Sequence, residues 1–268
     1  LLASKAVKLE QVKAFHAEFY GSNQANVAVV GDFDASATKA QLSSLFGNWK
    51  ARQQYERIPT KLSGVQGKKV VLETPDKANS VLLAVHELPM SDHDENYPAL
   101  LMANHILGGG ALHSRLADRI RQKEGLSYGV QSQLDADQVD TAGTWMMFAI
   151  SAPENTKKVE AAMFEELKLA IDKGFTEEEL KEAKKGWRQS NEVDRTNDEF
   201  LARMMAGNLK INRTMVYSKE LEAKVAALTL AQVNAALRQS LKPAQVSVVS
   251  AGDFAKAAAP AKDATSKP

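Results

Sequence analysis

Leu107-Gly108-Gly109-Gly110, followed by Ser114-Arg115-Leu116-Ala117-Asp118-Arg119-Ile120 and Arg121-Gln122-Lys123-Glu124-Gly125-Leu126-Ser127-Tyr128, is the stretch from which the fold is read. The glycine run stops a helix spanning about residues 98–107, whose Pro98 is tolerated because a first-turn N–H has no intrahelical partner to lose. Residues 114–124 form a second helix: Leu116 and Ile120 share one face, charged residues occupy the rest, and Gly125 is the residue type expected just past a helix C-terminus. Strands flank this helical centre. Residues 127–136 and 141–152 follow it, while the Val- and Leu-rich residues 69–73 and 79–88 precede it, bounded by Thr74-Pro75-Asp76 and Pro89.

Further along, residues 155–173 read as a helix closed by Gly174, and Thr176 with Glu179 marks the next helix by a capping box. Another covers about residues 218–227, and a last helix and strand close the unit. Strands come first, helices accumulate later, and the links between neighbouring strands are too short for crossovers. The pattern predicts an α+β fold: a two-layer sandwich of a mostly antiparallel sheet covered on one face by helices.

Composition narrows the functional classes. The 268 residues include 34 Lys and Arg against 33 Asp and Glu, a net charge of +1, so no global field draws the chain to nucleic acid or an anionic membrane. Absence of cysteine removes disulfides, thiol catalysis and Cys-ligated zinc. Apolar runs such as 81–85 and 145–150 are strand-sized and far below the ~20 residues of a membrane span. The start at Leu1-Leu2-Ala3, without methionine or signal sequence, reads as a processed or excised piece.

An internal repeat supports that reading. Leu9-Glu10-Gln11-Val12-Lys13-Ala14 matches Leu230-Ala231-Gln232-Val233-Asn234-Ala235, and each helix leads into a β-branched strand ending in Gly-Asp-Phe, residues 27–33 and 246–254. Thr229 and Gln232 supply a capping box for the second copy. The expected organisation is therefore a truncated first copy over residues 1–50, ending as helix-strand-helix, a linker over 51–67, a complete second copy over 68–255, and a disordered Ala-, Lys- and Pro-rich tail over 256–268.

The five histidines, His16, His86, His93, His105 and His113, include no pair at helical ligand spacing, and neither H-E-x-x-H nor H-x-x-E-H occurs. His86-Glu87 and His93-Asp94-Glu95, at a strand end and in a polar loop, are read as solvated surface. Gly108, Gly109 and Gly110 lack the phosphate-loop pattern. They read either as a turn or as a place where an extended ligand approaches the backbone closely. Arg121 and Tyr128 read, on physical grounds alone, more readily as a structural salt bridge and a core aromatic than as a site.

The same residues carry a specific resemblance. Leu107-Gly108-Gly109-Gly110, then Ser114-Arg115-Leu116, then an arginine and a tyrosine flanking Gly125-Leu126, resemble the second half of insulinase/pitrilysin-type zinc peptidases, including the mitochondrial processing peptidase type. Residues 12–20 and 26–33 resemble the closing helix and Gly-Asp strand of that family's first half. The resemblance implies a non-metal-binding half with no catalytic residue and no metal ligand of its own. Zinc, the cofactor, is implied on a metal-binding half carrying H-x-x-E-H, upstream in the same polypeptide or in a separate subunit. Peptide is the implied substrate, with Arg121 and Tyr128 near the scissile carbonyl and Gly108, Gly109 and Gly110 lining the wall. A homodimer is left open, and a bacterial periplasmic or membrane-associated setting is a family habit for which no residue argues. The rival implication is an inactive scaffold or assembly subunit of the same fold.

Overall fold

A computed structural model describes residues 6–258 as two units, one formed by residues 6–59 and 191–219, the other by 60–190 and 220–258.

In the second unit, β1 (Lys69–Glu73), β2 (Ser80–Leu88), β3 (Gly129–Ala136), β4 (Gly143–Ser151) and β5 (Ser247–Gly252) form a five-stranded sheet in the order β1-β5-β2-β4-β3. Every pair is antiparallel except β1 with β5, so the first and last strands lie side by side. Alternation decides the covered face. Leu82, Ala84 and Leu88 of β2, Trp145, Met147 and Ala149 of β4, and Val130 and Leu134 of β3 are buried, and their strand neighbours point to the other side. Against the buried face lie helix Tyr97–Asn104, the long helix Thr156–Lys173 and helix Leu230–Ser240, whose Leu100, Met163, Leu167, Val233 and Leu237 join one continuous core. The sandwich is the α+β arrangement expected, with helices covering one side of the sheet.

Local chemistry fixes the helix ends. Thr229 accepts from the Gln232 N–H while the Gln232 side chain accepts from the Thr229 N–H, closing the predicted box. Glu179 Oε2 accepts from the Thr176 N–H at 2.8 Å, and Thr176 Oγ1 from the Glu179 N–H at 3.2 Å, starting helix Glu177–Asp194. No described helix is long and apolar enough to cross a membrane.

Several expectations need correction. Residues 27–33 form no strand, because a strand exists only by hydrogen bonding to a neighbour and this segment has none. Helix Asp198–Lys210 was missed, although Asn197 accepts from the Phe200 N–H at 2.9 Å as a regular N-cap. The linker loses its freedom from Thr60 onward: Thr60 donates to Asp140, and the Ser63 and Gly64 N–H groups donate to Glu87. Residues 256–258 of the expected tail belong to a helical turn, Phe254–Ala258, begun by Asp253 accepting from the Lys256 N–H. The rest of that tail lies outside the described residues.

The first unit holds helices Leu9–Phe19 and Ala35–Phe46 with helix Asp198–Lys210, and none of its described residues is buried. Phe15, Phe19 and Tyr20 each expose more than half of their surface.

Candidate functional site

The segment that decides the fold also positions the candidate site. Helix Tyr97–Asn104 continues as a π-helical turn, His105–Gly109, which widens the backbone as it passes over β3. A Cβ on Gly108 would sit 2.5 Å from the Ser132 nitrogen of β3, so only glycine allows this approach. Asn104 locks the contact: Trp145 Nε1 donates to its Oδ1 at 3.0 Å, and Ser132 Oγ donates to its carbonyl at 3.3 Å. Cβ atoms on Gly109 and Gly110 would likewise crowd Asn104 and the His105 carbonyl, each at 2.8 Å. Close packing within the chain thus accounts for all three glycines. Ala111, at φ 51°, holds the left-handed turn that follows.

Ser114 restarts the helix. Its hydroxyl accepts from the Ala117 N–H at 3.4 Å, and a second π-helical stretch, Ala117–Lys123, carries Asp118, Arg119 and Arg121. Gly125, at φ 61°, ends it with the Leu126 N–H donating to the Ile120 carbonyl at 2.9 Å, one residue wider than the bond that closes an α-helix at a left-handed glycine, as the π-helical turn before it requires. Tyr128 then enters the sheet through its backbone, donating to Ile150 at 3.0 Å while its side chain stays outside.

Of the four bases on this segment, three are committed. Arg115 forms two bonds to Glu179, a third to the Gly174 carbonyl, and lies 4.8 Å from the Phe175 ring centre. Arg119 reaches Glu124, Glu165 and Glu166, and these carboxylates hold its guanidinium more firmly protonated than usual. Lys123 pairs with Asp118 at 2.6 Å. Arg121 is exposed and has no ion pair or side-chain hydrogen bond among the described residues. Tyr128 is 69% exposed, and its hydroxyl is likewise without a partner among them.

Gly109 and Gly110 border a cavity of about 650 Å³ whose other walls include His105, His113, Glu182 and Gly186. Burial holds the His105 imidazole below its usual range, hence neutral at pH 7. Arg121 and Tyr128 stand outside that lining. Among the described residues no three His, Asp or Glu side chains converge as zinc ligands would.

His86 corrects the sequence reading. It is 5% exposed, because strand alternation places it beside Leu82, Ala84 and Leu88 on the covered face. That alternation was visible in the sequence and is the signal that would have found it.

The profile of the family described as the peptidase M16 inactive domain matches residues 6–186. An uncharacterized zinc protease of Mycobacterium leprae is 27% identical over 241 residues, 88% of this chain and 53% of its own length. The non-peptidase homolog YmxG of Helicobacter pylori is 28% identical over 180 residues, 67% of this chain and 40% of its own. Among solved structures, a peptidase M16 inactive domain from Pseudomonas fluorescens superposes with a TM-score of 0.71 at 25% identity, over 92% of this chain and 57% of that one. The chain spans about half the length of these relatives. Because the matched residues 6–186 make up more than half of the chain and include the glycine turn and the Arg-Tyr segment, this chain belongs to the peptidase M16 inactive-domain family.

Proposed function

We propose that the chain is the substrate-binding, non-metal-binding half of a zinc metallopeptidase, with Arg121 and Tyr128 contacting the bound peptide. Zinc and the H-x-x-E-H motif reside on a partner half, upstream in the same polypeptide or in a separate subunit. The observation that carries this reading is the contrast on one short segment: Arg115, Arg119 and Lys123 are all spent on carboxylates, while Arg121 and the Tyr128 hydroxyl are held outward without partners among the described residues. Membership in the inactive-domain family and the zinc-protease name of the mycobacterial relative support it.

Amide hydrolysis on zinc needs an activated water, a base and stabilisation of the developing oxyanion. This chain contributes to the last. A guanidinium supplies permanent charge and a planar fork of donors, a phenol supplies a neutral O–H, and both strengthen when water is excluded. The same proposal accounts for the first unit, whose helices bury nothing: residues 1–50 are the end of a metal-binding-type half, with 51–67 as linker and 68–255 as the complete second half.

The test uses the protein together with its metal-binding half. Arg121→Ala and Tyr128→Phe should each lower kcat/KM by about two decades, roughly 3 kcal/mol in barrier, with no loss in melting temperature. Turnover equal to wild type in both variants sinks the assignment. The second reading, an inactive scaffold, is favoured by the relative named a non-peptidase homolog. It predicts no peptide cleavage in the reconstituted protein whatever stands at 121 and 128.

A further inference from the structure

β1 is the first strand in the sheet order and is bonded to β5 alone. Two bonds near its ends fix which way its backbone points: the Val248 N–H donates to the Lys68 carbonyl at 2.7 Å, and the Thr74 N–H donates to the Gly252 carbonyl at 2.8 Å. Bonding to a parallel neighbour falls on every second residue, so Lys69, Val71 and Glu73 turn their N–H and C=O groups away from the sheet. Those outward groups have no hydrogen-bond partner among the described residues. At the opposite edge the chain closes on itself, with Gly108 of the π-helical turn pressed against Ser132 of β3 and Asn104 Nδ2 donating to the Ser132 carbonyl at 3.5 Å. Among the described residues β1 has no such cover; it contains no proline and no bulge, and Val70, Val71 and Leu72 are 42%, 59% and 48% exposed. An open, regular, apolar edge is a template for another strand.

The order of residues along the edge specifies which strand. Lys69-Val70-Val71-Leu72-Glu73 is complementary to itself when run antiparallel: with Val71 opposite Val71 of a second copy, Lys69 stands opposite Glu73 at both ends and Val70 opposite Leu72. The same register puts the outward backbone groups of residues 69, 71 and 73 in facing pairs, each pair exchanging two N–H···O bonds. Lys69, Val71 and Glu73 lie on the helix-covered side, in register with Val248, Ser250 and Gly252, while Val70 and Leu72 lie on the open side. Both charges keep capacity for a partner. Lys69 gives two of its three ammonium donors to Glu160, at 2.6 and 2.8 Å, and Glu73 accepts the Ala255 N–H through one oxygen at 3.0 Å and keeps the other. An unrelated extended peptide would find the backbone bonds, whereas a second copy also meets an opposite charge at each end.

We infer that two copies of this chain associate through antiparallel pairing of their β1 edges about a two-fold axis at Val71, joining the two sheets into one. The two-fold makes the contact self-closing, so it yields a dimer and not a fibre. The pairing is short, and its affinity is accordingly modest. It involves neither Arg121 nor Tyr128 and holds whether or not the chain is half of a peptidase.

Sedimentation equilibrium of the 268-residue chain tests it. Expected is a monomer–dimer equilibrium with Kd between about 10 and 200 μM. Lys69→Glu alone sets carboxylate against carboxylate and Glu73→Lys alone sets ammonium against ammonium, and each should weaken the dimer at least about tenfold. The two single variants mixed together, and the double variant carrying both changes, regain opposite charges at each end and should return to within about threefold of wild type. Val71→Pro deletes an outward N–H that β5 does not use, so it should weaken the dimer at least about tenfold while the melting temperature holds. Where the proline variant fails to fold, the charge exchange decides alone. A chain that stays monomeric at about 0.5 mM leaves this edge to a strand from elsewhere and overturns the inference. So does a dimer indifferent to the single charge reversals, or a mixture no more associated than its two components.

Discussion

Arg115 donates its Nε and Nη2 to the two carboxylate oxygens of Glu179 at 2.5 and 2.8 Å, a bidentate pair that ties the segment carrying Arg121 and Tyr128 to the first turn of helix Glu177–Asp194. Both side chains are mostly shielded, at 18% and 29% exposure. Glu179 also accepts from Thr176, so one carboxylate holds a capping box and a tertiary anchor together.

Arg115→Met should therefore destabilise the chain by about 2 kcal/mol, the scale of losing charge-assisted bonds to Glu179 together with the Gly174 carbonyl contact. Urea unfolding should show a lower midpoint with an unchanged slope. Arg115→Lys, which keeps charge but loses the fork, should recover only part of the loss. A midpoint equal to wild type would mean that the pair contributes nothing.

The same carboxylate sets an acid limit. Burial pushes the Glu179 carboxyl up, but the hydrogen bonds from Arg115 and Thr176 outweigh it and leave it below its usual 4.5. A group with a depressed folded pKa contributes stability that is complete above its unfolded value and lost as pH falls through the folded one. The stability difference between wild type and Glu179→Gln should be flat from pH 7 to about 5 and shrink below about 4.5. A difference that grows on acidification would reverse the sign and exclude this ion pair as its source.

What the sequence disclosed divides along a physical line. Capping boxes at Thr176 and Thr229, the glycine ends at Gly125 and Gly174, and the alternation of β2 and β4 are local, and they were legible as written. The resemblance, which rests on spacing, singled out Arg121 and Tyr128, and both side chains are exposed. The missing pieces depend on distant partners. Residues 27–33 have strand composition but no neighbour to bond, and the π-helical turns at His105–Gly109 and Ala117–Lys123 have no sequence period that separates them from α-helix. The need for glycine at 108 comes from Ser132, twenty-four positions away. His86 was misread because its place near a strand end was taken as solvated, whereas it lies within β2 at a position that alternation turns to the covered face.

Gly108→Ala should accordingly cost about 3 kcal/mol or more, since the added carbon meets β3 backbone that has no rotamer to yield. Gly207→Ala is the control: it lies within helix Asp198–Lys210 with nothing within 4 Å of the new carbon, and it should stabilise by up to about 1 kcal/mol. Thermal unfolding of the two variants should move in opposite directions. Equal tolerance at both positions would mean that the close approach to Ser132 is not maintained in solution.

The first unit offers the sharpest contrast between the isolated chain and the larger protein proposed for it. Phe15 and Phe19 are 56% and 55% exposed and pack on each other at 4.7 Å between ring centres, so their main contact is mutual. In the isolated chain Phe15→Ser should cost less than about 1 kcal/mol, the scale of a single aromatic pair. Joined to a metal-binding half whose sheet covers these helices, the same ring becomes core, and its loss should cost about 3–5 kcal/mol. Urea unfolding of the substitution in both contexts measures the difference directly. Equal costs would show that this face remains in water when the two halves are together, and the apolar surface of helix Leu9–Phe19 would then need a different partner.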